Sequence, residues 1–161
     1  MRYLIVFALL LASAAVTNAQ EKNEASAQQL IESKNFVFKA ETVTPTRGRF
    51  RQLTSEYDLV VAVDTVTAFL PYFGRAFSAP INPSEGGIKF TSSKFEFGTE
   101  KRKKDGWEII ITPKDAQDVQ TLYLTVFENK RAQLRVNSLN RESITFNGYI
   151  KEGKPKNKKA F

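Results

Sequence analysis

Across residues 36–150 the apolar side chains recur at every second position in short stripes, and turn-forming residues separate one stripe from the next. A period of two places successive side chains on opposite faces of an extended chain, so each stripe is the buried face of a β-strand. Phe36, Phe38 and Ala40 make the first stripe, and Tyr57, Leu59, Val61 and Val63 the second. After Asp64-Thr65 the alternation resumes with Val66, Ala68 and Leu70, the distance of a tight hairpin. Ile88, Phe90 and Ser92 then occupy even positions whereas Phe95 and Phe97 are odd, so a bulge or turn must sit near Ser92-Ser93-Lys94. Trp107, Ile109 and Ile111 follow a charged hairpin tip that runs from Lys101 to Gly106. Leu122, Leu124 and Val126, then Leu134 and Val136, then Ile144, Phe146 and Ile150 complete the set, with turns at Asn129-Lys130 and Asn140-Arg141. The count predicts a mainly β protein: an antiparallel meander of about seven to nine strands forming a sandwich or a barrel.

Three segments depart from this period. Ser26-Ala27-Gln28-Gln29 has the spacing of a capping box, and Ala27, Leu30 and Ile31 share one face of the short helix predicted near residues 23–34. Residues 45–56, with Pro45, Gly48 and the closely spaced Arg47, Arg49 and Arg51, read as a loop or ragged edge. Residues 71–87 hold Pro71, Gly74, Pro80, Pro83, Gly86 and Gly87 and leave room for one short strand around 75–78. Tyr123 and Phe127 lie opposite the Leu122 stripe, which predicts a second cover on that strand, supplied by the N-terminal helix.

The apolar run at residues 4–12 is too short to span a bilayer and reads as a signal peptide; Thr17-Asn18-Ala19 places cleavage before Gln20, with Ala15 as the alternative. No cysteine follows to accept a lipid, so no stable membrane anchor is expected, and no disulfide reinforces the core. Residues 20–150 are expected to form a single β-rich domain and residues 151–161 a basic flexible tail with five lysines against one acid. The formal charge of +7 is therefore concentrated outside the body, which argues against nucleic acid as the partner.

With no histidine and no cysteine, the usual general base, the thiolate nucleophile and the common zinc ligand are all missing. Glu56 and Asp58 could share a strand face as a carboxylate pair, although strand ends often carry acids for solubility. Asp115 and Asp118 lack a calcium loop around them and read as turn caps. No cofactor or metal is expected. The most distinctive stretch is the loop at 71–87, which is expected to display Tyr72, Arg75, Asn82 and Glu85 for a ligand or partner; its architectural alternative is that glycines and prolines merely turn the chain. Arg75 is the foremost candidate, because a guanidinium pairs with carboxylate or phosphate and can stack against Tyr72.

The segments FVFKAETVTP (36–45), YDLVV (57–61), AFLPYFGRAFSAPINPSEGGIKFTSSKFEF (68–97) and GWEIIITPKDAQDVQTLYLTVFENKRAQLRVNSLNRESITFNGYI (106–150) resemble the exported Bacteroidota family of domain of unknown function 4251. The resemblance implies a secreted or periplasmic address and one domain, and it implies no reaction. Some relatives begin with a lipoprotein cysteine, which this chain lacks. A Bacteroidota origin also implies an O-glycosylation signal, which Asp64-Thr65-Val66 fits, with Thr65 as acceptor. The functional expectation is an exported, non-catalytic binding or structural module of the cell envelope, its partner an envelope protein, a glycan or a small ligand. The alternative is a β-barrel carrier of a small apolar ligand.

Overall fold

The computed structural model describes residues 25–77 and 86–153. The expected signal peptide and its cleavage site, Asn82, Glu85 and residues 154–161 of the expected tail lie outside the described residues. The elements are α1 (Ala27–Glu32), β1 (Phe36–Pro45), β2 (Arg51–Val61), β3 (Val66–Pro71), β4 (Gly87–Ser92), β5 (Phe95–Lys101), β6 (Trp107–Pro113), β7 (Val119–Val126), β8 (Arg131–Ser138) and β9 (Ile144–Glu152).

One sheet holds all nine strands in the order β4-β3-β2-β1-β9-β8-β7-β6-β5. Every neighbouring pair is antiparallel, so direction alternates along the row and the two end strands, β4 and β5, run the same way. Only Ser93 and Lys94 separate these two in the chain, so they are halves of one bent line, the first paired with β3 and the second with β6. That transfer brings the ends of the sheet together and produces a nearly closed barrel rather than a sandwich.

The bend sits where the alternation slips phase. Ser92 is fully buried, and its hydroxyl donates to the carboxylate of Asp115, on the β6–β7 loop. The Ser93 N–H reaches the other carboxylate oxygen at 3.0 Å, and the Lys114 N–H reaches the Lys94 carbonyl at 2.7 Å. The bonds from Ser92 and Ser93 hold the Asp115 carboxyl below its usual pKa, the Ser92 hydroxyl contributing most. A depressed carboxylate stabilises the fold fully above its unfolded pKa, about 3.9, and that contribution fades as pH falls through the lower folded value. Asp115→Asn should therefore melt below the wild type at pH 7, and the gap should close progressively below about pH 4. Paired thermal melts across that range check this, and a gap independent of pH contradicts it.

The inner face is filled by large side chains, among them Phe36, Phe38, Leu59, Leu70, Ile111 and Phe146, each under 2 % exposed. Ala27, Leu30 and Ile31 of α1 join this same core. The helix thus closes the barrel end where β1 begins and does not cover the outer face of β7. Its link to β1 is only residues 33–35, and β7 stands three positions from β1 in the sheet, out of reach of a six-residue helix. The Arg135 guanidinium covers Tyr123 instead, 4.8 Å from the ring centroid, and Arg102 lies 5.6 Å from that of Phe127.

Other expectations change in detail. The helix is shorter than 23–34, capped by Ser26 and left through Lys34 at φ 48. β2 begins at Arg51, within the segment expected to be a loop. Against β1 its register passes from Ala40↔Tyr57 to Thr42↔Gln52, so residues 53–56 bow outward opposite the single Glu41, and a bowed polar stretch leaves no alternation to read. Val63 belongs to no stripe: the Ala62 N–H bonds the Thr65 carbonyl at 2.8 Å, which puts Val63 at the hairpin tip, 72 % exposed. Near 75–78 the described residues form one bridge, Ala76 to Arg141, rather than a strand.

Candidate functional site

The β1–β2, β3–β4, β6–β7 and β8–β9 loops gather at the barrel end opposite α1. Arg141, on the β8–β9 loop, ties three of them together. Its Nε lies 3.0 Å from Asp118 on the β6–β7 loop, and its Nη1 donates to the Gly87 carbonyl at 2.9 Å where β4 begins. Its guanidinium also sits 5.2 Å from the centroid of the Tyr72 ring. A planar cation with five donors can meet a carboxylate, a carbonyl and a π-face together, which a lysine cannot.

The Tyr72 hydroxyl is shared between two carbonyls, Arg75 at 2.8 Å and Glu142 at 2.9 Å. Burial pushes this phenol above its usual pKa, and the Glu142 charge adds to the rise while Arg141 opposes it. It therefore stays protonated at neutral pH and acts as a donor. The Glu142 N–H returns a bond to the Arg75 carbonyl at 2.9 Å, and the Phe77 N–H bonds the Asn140 carbonyl at 2.8 Å. From the β1–β2 loop, the Thr46 hydroxyl donates to the Ser143 carbonyl at 2.6 Å. Arg47 Nε lies 3.8 Å from Glu142 Oε1, while Glu142 Oε2 is buried with no hydrogen-bond partner.

Of the residues expected to form a site, the structure brings Tyr72 and Arg75 together through the latter's carbonyl, not its guanidinium. The cation over Tyr72 belongs to Arg141. The Arg75 side chain is exposed and makes no hydrogen bond or ion pair among the described residues. Asn82 and Glu85 lie outside the described residues. Thr65 lies in the β2–β3 turn at the α1 end, half-buried, its hydroxyl donating to Asp64 at 3.2 Å. Glu56 and Asp58 do share a face, and both grip Lys39 Nζ, at 2.9 and 3.0 Å. Burial lowers the Lys39 pKa, but the bonds and charges of those two acids outweigh it and leave a net rise. Asp115 and Asp118 both bond loop and bend groups.

Around this internally bonded frame the rim exposes apolar and cationic side chains side by side. Phe50 is 60 % exposed, Phe77 66 % and Leu139 60 %. Arg47, Arg49, Arg51 and Arg75 are exposed among them, the Arg51 guanidinium 4.8 Å from the Phe73 ring centroid. The arrangement suits binding by contact and charge better than proton transfer, because the half-buried Tyr72 hydroxyl is committed to two carbonyls and those of Thr46 and Ser143 are bonded within the frame.

Among solved structures, a DUF4251 family protein from Bacteroides eggerthii is similar, with a TM-score of 0.58 and 17 % identity over 78 % of this chain and 85 % of that one. At that identity the likeness is one of fold. No curated protein matches. Residues 18–150 match the family model described as Domain of unknown function (DUF4251), and on that extent the chain belongs to this family.

Proposed function

We propose that the protein is an exported, non-catalytic binding module of the cell envelope that engages its partner through the loop rim opposite α1. The observation that carries this reading is the rim itself: exposed phenylalanines and arginines stand on a frame whose own polar groups, Glu142 Oε2 excepted, are bonded to one another. Such a frame presents its side chains with little ordering left to be done on binding. Export is supported by the apolar run at 4–12 and the small residues before Gln20. The lack of histidine and cysteine favours binding over catalysis. An interior filled by Phe36, Phe38 and Phe146 favours a surface partner over a ligand carried inside. Thr65, at the far end, is proposed as the O-glycosylation acceptor, clear of the rim.

Native mass spectrometry of protein purified from its own periplasm tests the reading. A retained partner is expected, and Arg75→Ala should weaken its capture while shifting the melting temperature by no more than a few degrees, as befits an exposed side chain. Protein that emerges with nothing bound, or a reproducible hydrolase turnover abolished by changing Glu56 or Asp58, would overturn it.

A further inference from the structure

Resting on that reading, we infer that the rim docks on an anionic phospholipid surface. The argument starts from charge. The cations at this end, Arg49, Arg51, Arg75 and Lys114, are exposed, whereas two of the acids are withdrawn, the Asp118 side chain at 28 % exposure and paired with Arg141 and that of Glu142 at 11 %, and the exposed Asp115 is taken up by its bonds to Ser92 and Ser93. Residues 78–85, outside the described residues, add one acid in sequence, Glu85. The outward charge among the described residues of the rim is therefore positive, and guanidinium forks match phosphate oxygens.

The second observation is apolar. Phe50, Phe73 and Phe77 stand exposed on the β1–β2 and β3–β4 loops, at the end of a barrel rather than along a groove. Loop-borne rings flanked by arginines suit entry into the boundary between headgroups and acyl chains, where an aromatic ring is buried and a guanidinium reaches phosphate. Arg51 lying over Phe73 already joins the two chemistries in one contact. The opposite end of the barrel provides an internal control. There the β5–β6 tip exposes Arg102, Lys103 and Lys104, but Trp107 is half-buried and Arg102 covers Phe127, so this tip, unlike the β2–β3 turn with its exposed Val63, offers charge with little free apolar surface.

The test uses the chain from Gln20 to Phe161, which contains every described element, and vesicles of phosphatidylcholine with or without phosphatidylglycerol. At about 0.1 M salt the protein should sediment with the phosphatidylglycerol vesicles and not with pure phosphatidylcholine. Arg49→Ala combined with Phe50→Ser should weaken that binding by roughly tenfold or more, whereas Lys103→Ala with Lys104→Ala should leave it within about twofold. Phe50→Trp in a Trp107→Phe background should be quenched by brominated phosphatidylglycerol, and Trp107 of the otherwise unchanged protein should not. Absence of binding to anionic vesicles, equal losses in the two double variants, or quenching of Trp107 instead overturns the inference. If vesicles fail while an acidic protein is retained through Arg75, the membrane inference falls and the binding-module reading stands. If vesicles fail and native protein carries nothing, both fall.

Discussion

Gly148→Ala should cost about 3 kcal/mol and lower the melting temperature by roughly 10 °C. Gly148 lies in β9 opposite Ala40 of β1 on one side and Ala132 of β8 on the other. There β1 carries its bulge, since the register steps from Ala40↔Gly148 to Thr42↔Asn147 and leaves Glu41 unpaired. The bulge drives the β1 backbone against β9: a Cβ on Gly148 would stand 1.8 Å from the Lys39 carbonyl oxygen and 3.2 Å from the Ala40 Cα. Those atoms are backbone and cannot rotate aside, so two strands in the middle of the sheet order must part or the bulge must move. Overpacking of a core usually costs about 1–3 kcal/mol, and a backbone clash at a central strand pair belongs at the upper end. Gly98 supplies the comparison. It lies in β5, nothing stands within 4 Å of its would-be Cβ, and Gly98→Ala should change stability by no more than about 0.5 kcal/mol. Thermal unfolding of the two variants checks the difference, and equal midpoints would mean that β1 and β9 separate at little cost.

The strands were legible because period two survives wherever one face is buried and the other wet. The bend at Ser92-Ser93-Lys94 was legible for the same reason: a change of phase cannot occur without an extra or turned residue. Closure was not, because barrel and sandwich differ in which strands meet, and β1 finds β9 only after the chain has run its whole length. The first half of β2 was hidden by its bow at residues 53–56. At the rim, the loop composition pointed to Tyr72 and Arg75, yet the contacts that define the site join Tyr72 to Glu142, 70 positions on, and Gly87 to Arg141, 54 positions on. In sequence Asn140-Arg141 reads only as a turn. The signal that was present lies in the neighbouring chemistry: an arginine in a tight turn and Asp118, which reads as a turn cap, are complementary, but only the barrel closure makes them neighbours.

Arg141→Ala should be the most damaging single change at the rim, with a loss of roughly 2–3 kcal/mol, whereas Arg75→Ala should cost no more than about 0.5. The difference follows from what each guanidinium touches. Arg141 is 17 % exposed in its side chain and holds Asp118, the Gly87 carbonyl and the Tyr72 ring at once. Its removal takes the cation from a half-buried carboxylate that keeps, among the described residues, only the Asn140 N–H and leaves the Gly87 carbonyl without its guanidinium donor, and leaving such groups under-bonded costs more than the bonds themselves contribute in water. It also frees the Tyr72 ring, whose hydroxyl braces the Arg75 and Glu142 carbonyls, so the β3–β4 and β8–β9 loops should loosen together. Arg141→Lys should recover part of the loss, because an ammonium can face Asp118 but lacks the fork that reaches Gly87 while lying over the ring. A double-mutant cycle with Tyr72→Phe measures the link: if the hub acts as a unit, the two losses should fall short of additivity by about 0.5 kcal/mol or more. Denaturant unfolding of the single and double variants provides these numbers. A neutral Arg141→Ala beside a destabilising Arg75→Ala would return the architectural role to Arg75 and leave Arg141 as an exposed contact of the rim.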